Sequence, residues 1–277
     1  MLIDYHVHNR FSPDSHEDTR KIVQQALDKG IKEICITNHV EWHDSQTGKS
    51  YFDEKEATER FRRIKAEISL IQPDFPKVRI GFGAEVEYVA DRMEKLTSWI
   101  KEMGFDFVLG SVHAIDNIVI SSHKYADALY SKMSEKSAYE AYFHEMEKLV
   151  EWGQMDVIAH FDINKKYGCK FYGTFQPEKN ADQIKQILKS MAKKRIGLEL
   201  NTNCMKDKCH EVFPHPTILR WAVEAGIKNF TLGSDAHEKR HVGQHLGEAL
   251  KIAKEAGITT VSTYLNRKPT LHAIDNA

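Results

Sequence analysis

The stretch IDYHVHNRFSPDS, residues 3–15, ends a short apolar run in two histidines, His6 and His8, with Asp4 before them and Asp14 after. A run of this length and residue type reads as a buried strand. His6 and His8 are two apart, so on a strand they project to the same side.

Comparable runs recur along the chain. They are LIDYHV (2–7), EICITN (33–38), VRIGFGAEVEY (78–88), FDFVLGSVH (105–113), MDVIAH (155–160), IGLELN (196–201) and NFTLGS (229–234), with a weak eighth, TTVST, at 259–263. Between them lie amphipathic segments. Residues 15–30 have Ser15 as the expected N-cap and Gly30 as a stop. Residues 53–72 set Phe61, Ile64, Ile68 and Ile71 at helical spacing. Strands alternating with helices, without a Pro-, Gly- or Ser-rich linker, predict one α/β domain over residues 1–277. A (β/α) barrel is the expected form, with a doubly wound open sheet as the alternative.

The polar residues at the run ends bear on that choice. His6 and His8 close the first run, His39 follows the second, and Glu85 and Glu87 lie in the third. His113 follows the fourth, His160 the fifth, and Asp235 and His237 the seventh. Parallel strands direct their C-terminal ends to one face, and in barrels that face carries the active site. A single histidine at a strand end is ordinarily a satisfied core or surface residue. Imidazoles and carboxylates repeated at the same end of successive runs are the donor set of zinc, manganese or iron. Most other histidines fall on helices or loops without partners, although His43 and His241 sit on loops that could reach a substrate.

Composition narrows the function further. The net charge is −1, so no basic excess advertises a nucleic-acid partner, which leaves room for a local basic patch. No run approaches the roughly 18 apolar residues of a membrane span. The N-terminus lacks the pattern of a secretory leader, so a cytoplasmic protein is expected. Of the four cysteines, Cys35 reads as a small buried hydrophobe. Cys204, Cys209 and His210 lack the second paired half of a zinc ribbon, and reduced thiols are expected.

The motifs DYHVHNRFSPDS, TNH, GAEVEY, GSVH, AHFD and GSDAH resemble those of the polymerase and histidinol phosphatase (PHP) family. ELNTN, PHPTIL and GSDAHEKRHVG are most similar to its histidinol-phosphate phosphatases, and the likeness spans residues 2 to about 265. The resemblance implies a distorted (β/α)7, TIM-barrel-like fold. It also implies a centre of three divalent metal ions (Zn, Fe or Mn) and hydrolysis of L-histidinol phosphate in histidine biosynthesis. Carried over by position, His6, His8 and Asp235 hold a first ion, and Glu85 bridges it to a second that His113 and His160 complete. Asp14, His39 and His237 hold the third. Many relatives have histidine at the place of Asp14, and aspartate is usual in the histidinol-phosphatase branch. Glu85, Asp235 and His237 are the expected catalytic residues. Lys166 and Lys206 lie where related enzymes have phosphate-binding residues. Arg10 is a further phosphate candidate, and Glu87 a candidate for orienting a ligand or binding the substrate's amine or imidazole.

The chemistry fits this donor set. Water at neutral pH is too weak a nucleophile for a phosphate monoester, and a metal ion can lower its pKa from 15.7 to roughly 7. Neutral imidazoles leave the ions a surplus of positive charge that attracts a phosphate dianion, whereas all-carboxylate ligation would cancel it. With this chemistry, the resemblance implies a small-molecule phosphate monoester as the partner. The alternative on the same scaffold is a phosphodiesterase or nuclease acting on nucleotides or cyclic phosphates. An amidohydrolase is disfavoured because His113 occupies the place of its usual carboxylated lysine. A metal store would saturate its ions and leave no open position for water. No G-x-S-x-G motif supports a serine nucleophile.

Overall fold

The computed structural model describes residues 1–40, 42–43, 50–89, 92–116, 118–206 and 211–274. Seven parallel strands form one sheet in chain order: β1 (Ile3–Val7), β2 (Glu33–Ile36), β3 (Arg79–Glu87), β4 (Phe107–Ser111), β5 (Val157–Ile158), β6 (Gly197–Asn201) and β7 (Phe230–Gly233). All seven long apolar runs of the sequence supply these strands.

The ring is nearly closed, and the residues at the rim close it. Val7 bridges Ala236 in parallel. Asp235 N donates to His6 O at 2.8 Å and His8 N to Ala236 O at 2.9 Å. This joins the first strand to the segment just past the seventh, so the fold is the distorted seven-stranded barrel and not the open sheet. Close strand packing is visible at Gly83, where a Cβ would lie 2.7 Å from Cys35 Sγ and 2.9 Å from Phe107 O.

Helices α1 (Thr19–Asp28), α2 (Glu54–Ile71), α3 (Met93–Met103), α4 (His123–Tyr130), α5 (Glu135–Trp152), α6 (Lys165–Tyr172), α7 (Ala181–Lys194), α8 (Pro216–Glu224) and α9 (Leu246–Glu255) fill the connections. In α2 the face predicted from spacing is the buried one: Phe61, Ile64, Ile68 and Ile71. The start of α1 differs from expectation. Asp18, not Ser15, is the N-cap, its carboxylate accepting from Arg20 N and Lys21 N. Ser15 Oγ instead donates to His8 O (3.2 Å) and His237 O (2.8 Å), tying the first rim loop to the last.

The weak eighth run forms no ladder with the seven barrel strands. Thr260–Leu265 pairs with Lys268–Ala273 as an antiparallel hairpin. It lies at the N-terminal mouth of the ring. Tyr264 N donates to Tyr5 Oη at 2.7 Å, Arg267 N to Asp106 O at 2.9 Å, and Arg267 also pairs with Asp156. Asp106 and Asp156 each sit one residue before a barrel strand. The hairpin thus plugs the bottom and leaves the C-terminal rim for chemistry. No helix among the described residues is long and apolar enough to cross a membrane.

Candidate metal centre

Each expected ligand stands within three residues of a strand's C-terminal end or in the loop that follows. His39 is carried to the rim because the β2–β3 pairing continues past β2. His39 bridges Glu85 in parallel, Glu85 N donates to Asn38 O, and Val40 N to Glu85 O. His160 and Asp235 each lie two residues past their strands with positive φ, +24° and +52°. A left-handed turn there costs a non-glycine residue energy and swings the side chain off the strand direction. Asp14 is aimed by the first loop, where Ser12 Oγ donates to its Oδ1 at 2.7 Å.

The nine side chains meet in one cage. Glu85 sits at its centre, 1% exposed. Its Oε1 is 2.9 Å from His160 Nε2 and 3.2 Å from His113 Nε2. Its Oε2 faces other partners: His39 Nδ1 at 3.0 Å, His6 Nε2 at 3.2 Å and His8 Nε2 at 3.7 Å. Asp235 Oδ1 lies 3.5 Å from His8 Nε2 and 3.7 Å from His6 Nε2. Asp14 Oδ2 lies 2.9 Å from His237 Nε2 and 3.3 Å from His39 Nε2. Four sets of ligand atoms are close enough to share an ion: His8, Asp14, His39 and His237; His6, His8 and Asp235; His6, Glu85 and His160; His39, Glu85 and His113.

These donors fit metal ions. His8 Nε2 is buried and makes no hydrogen bond among the described residues, yet it faces two carboxylate oxygens. A buried nitrogen aimed at anions across 3.5–3.7 Å suits a cation between them. Electrostatics agree. Burial, reinforced by His237 and His39, pushes His8 down to about 3, and burial lowers His113 as well, so both are neutral donors at neutral pH. Burial opposes ionisation of His6 and His39, but carboxylates outweigh it and raise both: Glu199, Asp235 and Glu85 for His6, Glu85 and Asp14 for His39. Burial also works against charge on Glu85 and Asp235. Neighbouring imidazoles, His39 and His6 for Glu85 and His6 and His8 for Asp235, hold both carboxyls well below their usual range.

The substrate candidates are placed as follows. Lys166 is half-buried, its Nζ donating to Asn203 Oδ1 at 3.1 Å, and Asn203 Nδ2 donates to Asp235 O at 3.1 Å. Arg10 is exposed and pairs with Asp18 and Glu67. Glu87 is 1% exposed at the end of β3, on the same side as Glu85. Lys206 ends the short turn Asn203–Lys206, and its side chain lies outside the described residues, as does that of His43. His241 ends the Lys239–His241 turn. Cys35 is buried and free as expected, but Cys204 is disulfide-bonded, which corrects the expectation of reduced thiols there; Cys209 and His210 lie outside the described residues.

Sequence reasoning passed over the sixth strand, which ends in asparagine. Its Glu199 is fully buried, with Oε1 2.8 Å from His6 Nδ1. The signal was an acid inside the apolar run IGLELN, two residues before Asn201. Asn9 and Asn38 were also missed. Asn38 Nδ2 donates to Asn9 Oδ1 at 2.6 Å and Asn9 N to Asn38 Oδ1 at 2.9 Å, locking the first two rim loops together.

Comparison with known proteins agrees with this geometry. Residues 4–203 match the PHP domain model. The histidinol-phosphatase of Lactococcus lactis is 27% identical over 267 residues, covering 96% of this chain and 95% of the relative. The probable histidinol-phosphatase of Clostridium acetobutylicum is also 27% identical, covering 94% and 96%. The crystal structure of the L. lactis histidinol phosphate phosphatase, complexed with zinc, L-histidinol and phosphate, superposes with a TM-score of 0.84 at 26% identity, covering 97% of this chain and 98% of that one. With seven parallel strands closing at a rim of histidines and carboxylates, and a family match across most of its length, the chain belongs to the PHP domain family.

Proposed function

We propose that this protein is a metal-dependent phosphomonoesterase that hydrolyses L-histidinol phosphate to L-histidinol and phosphate. The observation that carries the proposal is the division of Glu85, whose two oxygens face two different sets of imidazoles. A fold whose L. lactis relative binds zinc, L-histidinol and phosphate supports it.

His6, His8 and Asp235 would hold one divalent ion, and His113 and His160 a second, with Glu85 spanning both. Asp14, His39 and His237 would hold a third. Zinc is the first ion to test, with iron and manganese compatible with the same donors. Ions bound there would supply a water-derived nucleophile at neutral pH and offset the charge of the phosphate.

The chain's own residues do the rest. Three carboxylates (Asp14, Glu85 and Asp235) set against three divalent cations leave a surplus of about +3, which draws in a phosphate dianion. Lys166, beside Asn203 and the Asp235 wall, would take a phosphate oxygen through a charge-assisted hydrogen bond. Lys206 would act from the neighbouring turn, with Arg10 a more distant candidate. Glu87 would receive the amine of the leaving alcohol. Glu85, Asp235 and His237 keep the reacting centre in register.

The test is phosphate release from L-histidinol phosphate measured against nucleotides and cyclic phosphates, with elemental analysis of the same preparation. A large preference for histidinol phosphate by a metal-loaded protein is expected. A preference for cyclic or polymeric phosphodiesters would replace this assignment.

A further inference from the structure

We infer that Glu199 is a positioning residue that fixes His6 and His160 together and so couples two of the metal sites; this rests on the metal-centre reading above. Glu199 has no exposed surface. Its Oε1 accepts from His6 Nδ1 at 2.8 Å. Its Oε2 accepts from His160 N at 2.8 Å and from Asn201 Nδ2 at 3.1 Å. One carboxylate thus serves three donors.

Each of those bonds has a consequence at the cage. A carboxylate only accepts, so a proton must stand on His6 Nδ1. That leaves Nε2, which faces Glu85 Oε2 and Asp235 Oδ1, as the ligating nitrogen. At His160 the strand ladder has already ended, its last bond being Ala159 N to Gly110 O at 2.9 Å. The Glu199 oxygen takes the next N–H and holds the residue at its positive φ of +24°. From that pose the imidazole reaches Glu85 Oε1.

The packing around Glu199 makes room for it. A Cβ at Gly233 would fall 2.1 Å from Glu199 Oε1 and 2.6 Å from His6 Cβ, so position 233 must be glycine for the pair to exist. Asn201 is fixed in turn by Asn203 N, which donates to its Oδ1 at 2.9 Å. Asp14, His39 and His237 have no hydrogen bond to Glu199 among the described residues, so the third site serves as an internal control.

The variant Glu199→Gln keeps the shape but offers one acceptor oxygen where the carboxylate offers two. At least one of His6 Nδ1–H and His160 N–H must then face an amide NH2. Zinc titration of chelator-stripped wild type and variant, with elemental analysis, reads the result. At least one of the two sites that His6 and His160 serve is expected to weaken by roughly 10–100-fold, with the third unchanged. Unchanged affinity at all three sites, or equal loss at all three, overturns the inference. A wild-type protein that binds no zinc overturns both this and the metal-centre reading. A wild type that takes up zinc, with a variant that binds it equally tightly at every site, overturns this inference alone. Should the variant not fold, nitrogen NMR of the zinc-loaded wild type with labelled histidines decides: a proton on His6 Nδ1 upholds the inference, and a metal on that nitrogen ends it.

Discussion

The Nε2 atoms of His113 and His160 lie 3.3 Å apart. Two imidazole nitrogens bound to one zinc at about 2.0–2.1 Å, at a tetrahedral angle, stand about 3.4 Å apart. Glu85 Oε1 completes a triangle with the two, at 3.2 and 2.9 Å. The three atoms have the spacing of ligands on one ion, and the other oxygen of Glu85 is turned to the next set.

Glu85→Gln removes that double role. Turnover should fall by more than about 100-fold, since even outer partners of metal ligands are worth roughly 10–100-fold. Metal content should fall with it. Steady-state kinetics and elemental analysis check this, and near-normal activity would reject the bridge.

Asp14 differs from the buried ligands because 47% of its side chain is exposed. Its Oδ2 lies within 3.3 Å of both His39 and His237. An ion bound there should therefore be the outermost and the most readily exchanged. Asp14→Ala is expected to lose one ion of three and to lower kcat at least about 10-fold, the low end of the range for groups that support a metal. Loss of all bound metal would contradict the separation of the third site.

Lys166→Ala should act on binding. A charge-assisted hydrogen bond is worth about 1.5–3 kcal/mol, so KM for the phosphate ester should rise roughly 10-fold or more while kcat changes little. Lys166→Arg should recover part of the loss. Unchanged KM in both variants would remove Lys166 from the phosphate site.

Asp156 at the opposite mouth gives a pH signature independent of metal. Burial pushes its carboxyl up to about 6, and Arg267 only partly offsets this. The folded state therefore holds the proton more tightly than the unfolded chain. The stability this contributes is fully present below the ordinary value of 3.8 and is lost as pH rises through about 6. Asp156→Asn does not titrate, so relative to wild type it should gain on the order of 1–3 kcal/mol between pH 4 and 6.5. Asp4, also pushed up to about 6 by burial, titrates in both proteins and cancels in the comparison. Urea unfolding at several pH values measures the difference; one that does not change with pH would contradict the assignment.

Much of this architecture is legible in the sequence because each barrel strand is a buried run and the cage residues fall at or just past the same end of their runs. That rule alone singles out His6, His39, His113 and His160, which the structure gathers around Glu85. Glu199 escapes it, since it lies inside its run and acts through other side chains. The hairpin from Thr260 to Ala273 escapes it too, because a short β-rich run looks the same whether it extends a barrel or plugs it. Ser15 is a good capping residue, but closing the rim takes its hydroxyl for His8 O and His237 O, and Asp18 caps the helix instead. Such long-range competition has no local signature.

The most direct test of the central claim is activity on L-histidinol phosphate through a cycle of chelation and metal return, with ions counted at each stage. Phosphate release should disappear as the ions leave and return in step with about three per chain, the number proposed for the cage. Full-speed hydrolysis by protein stripped of metal would contradict it.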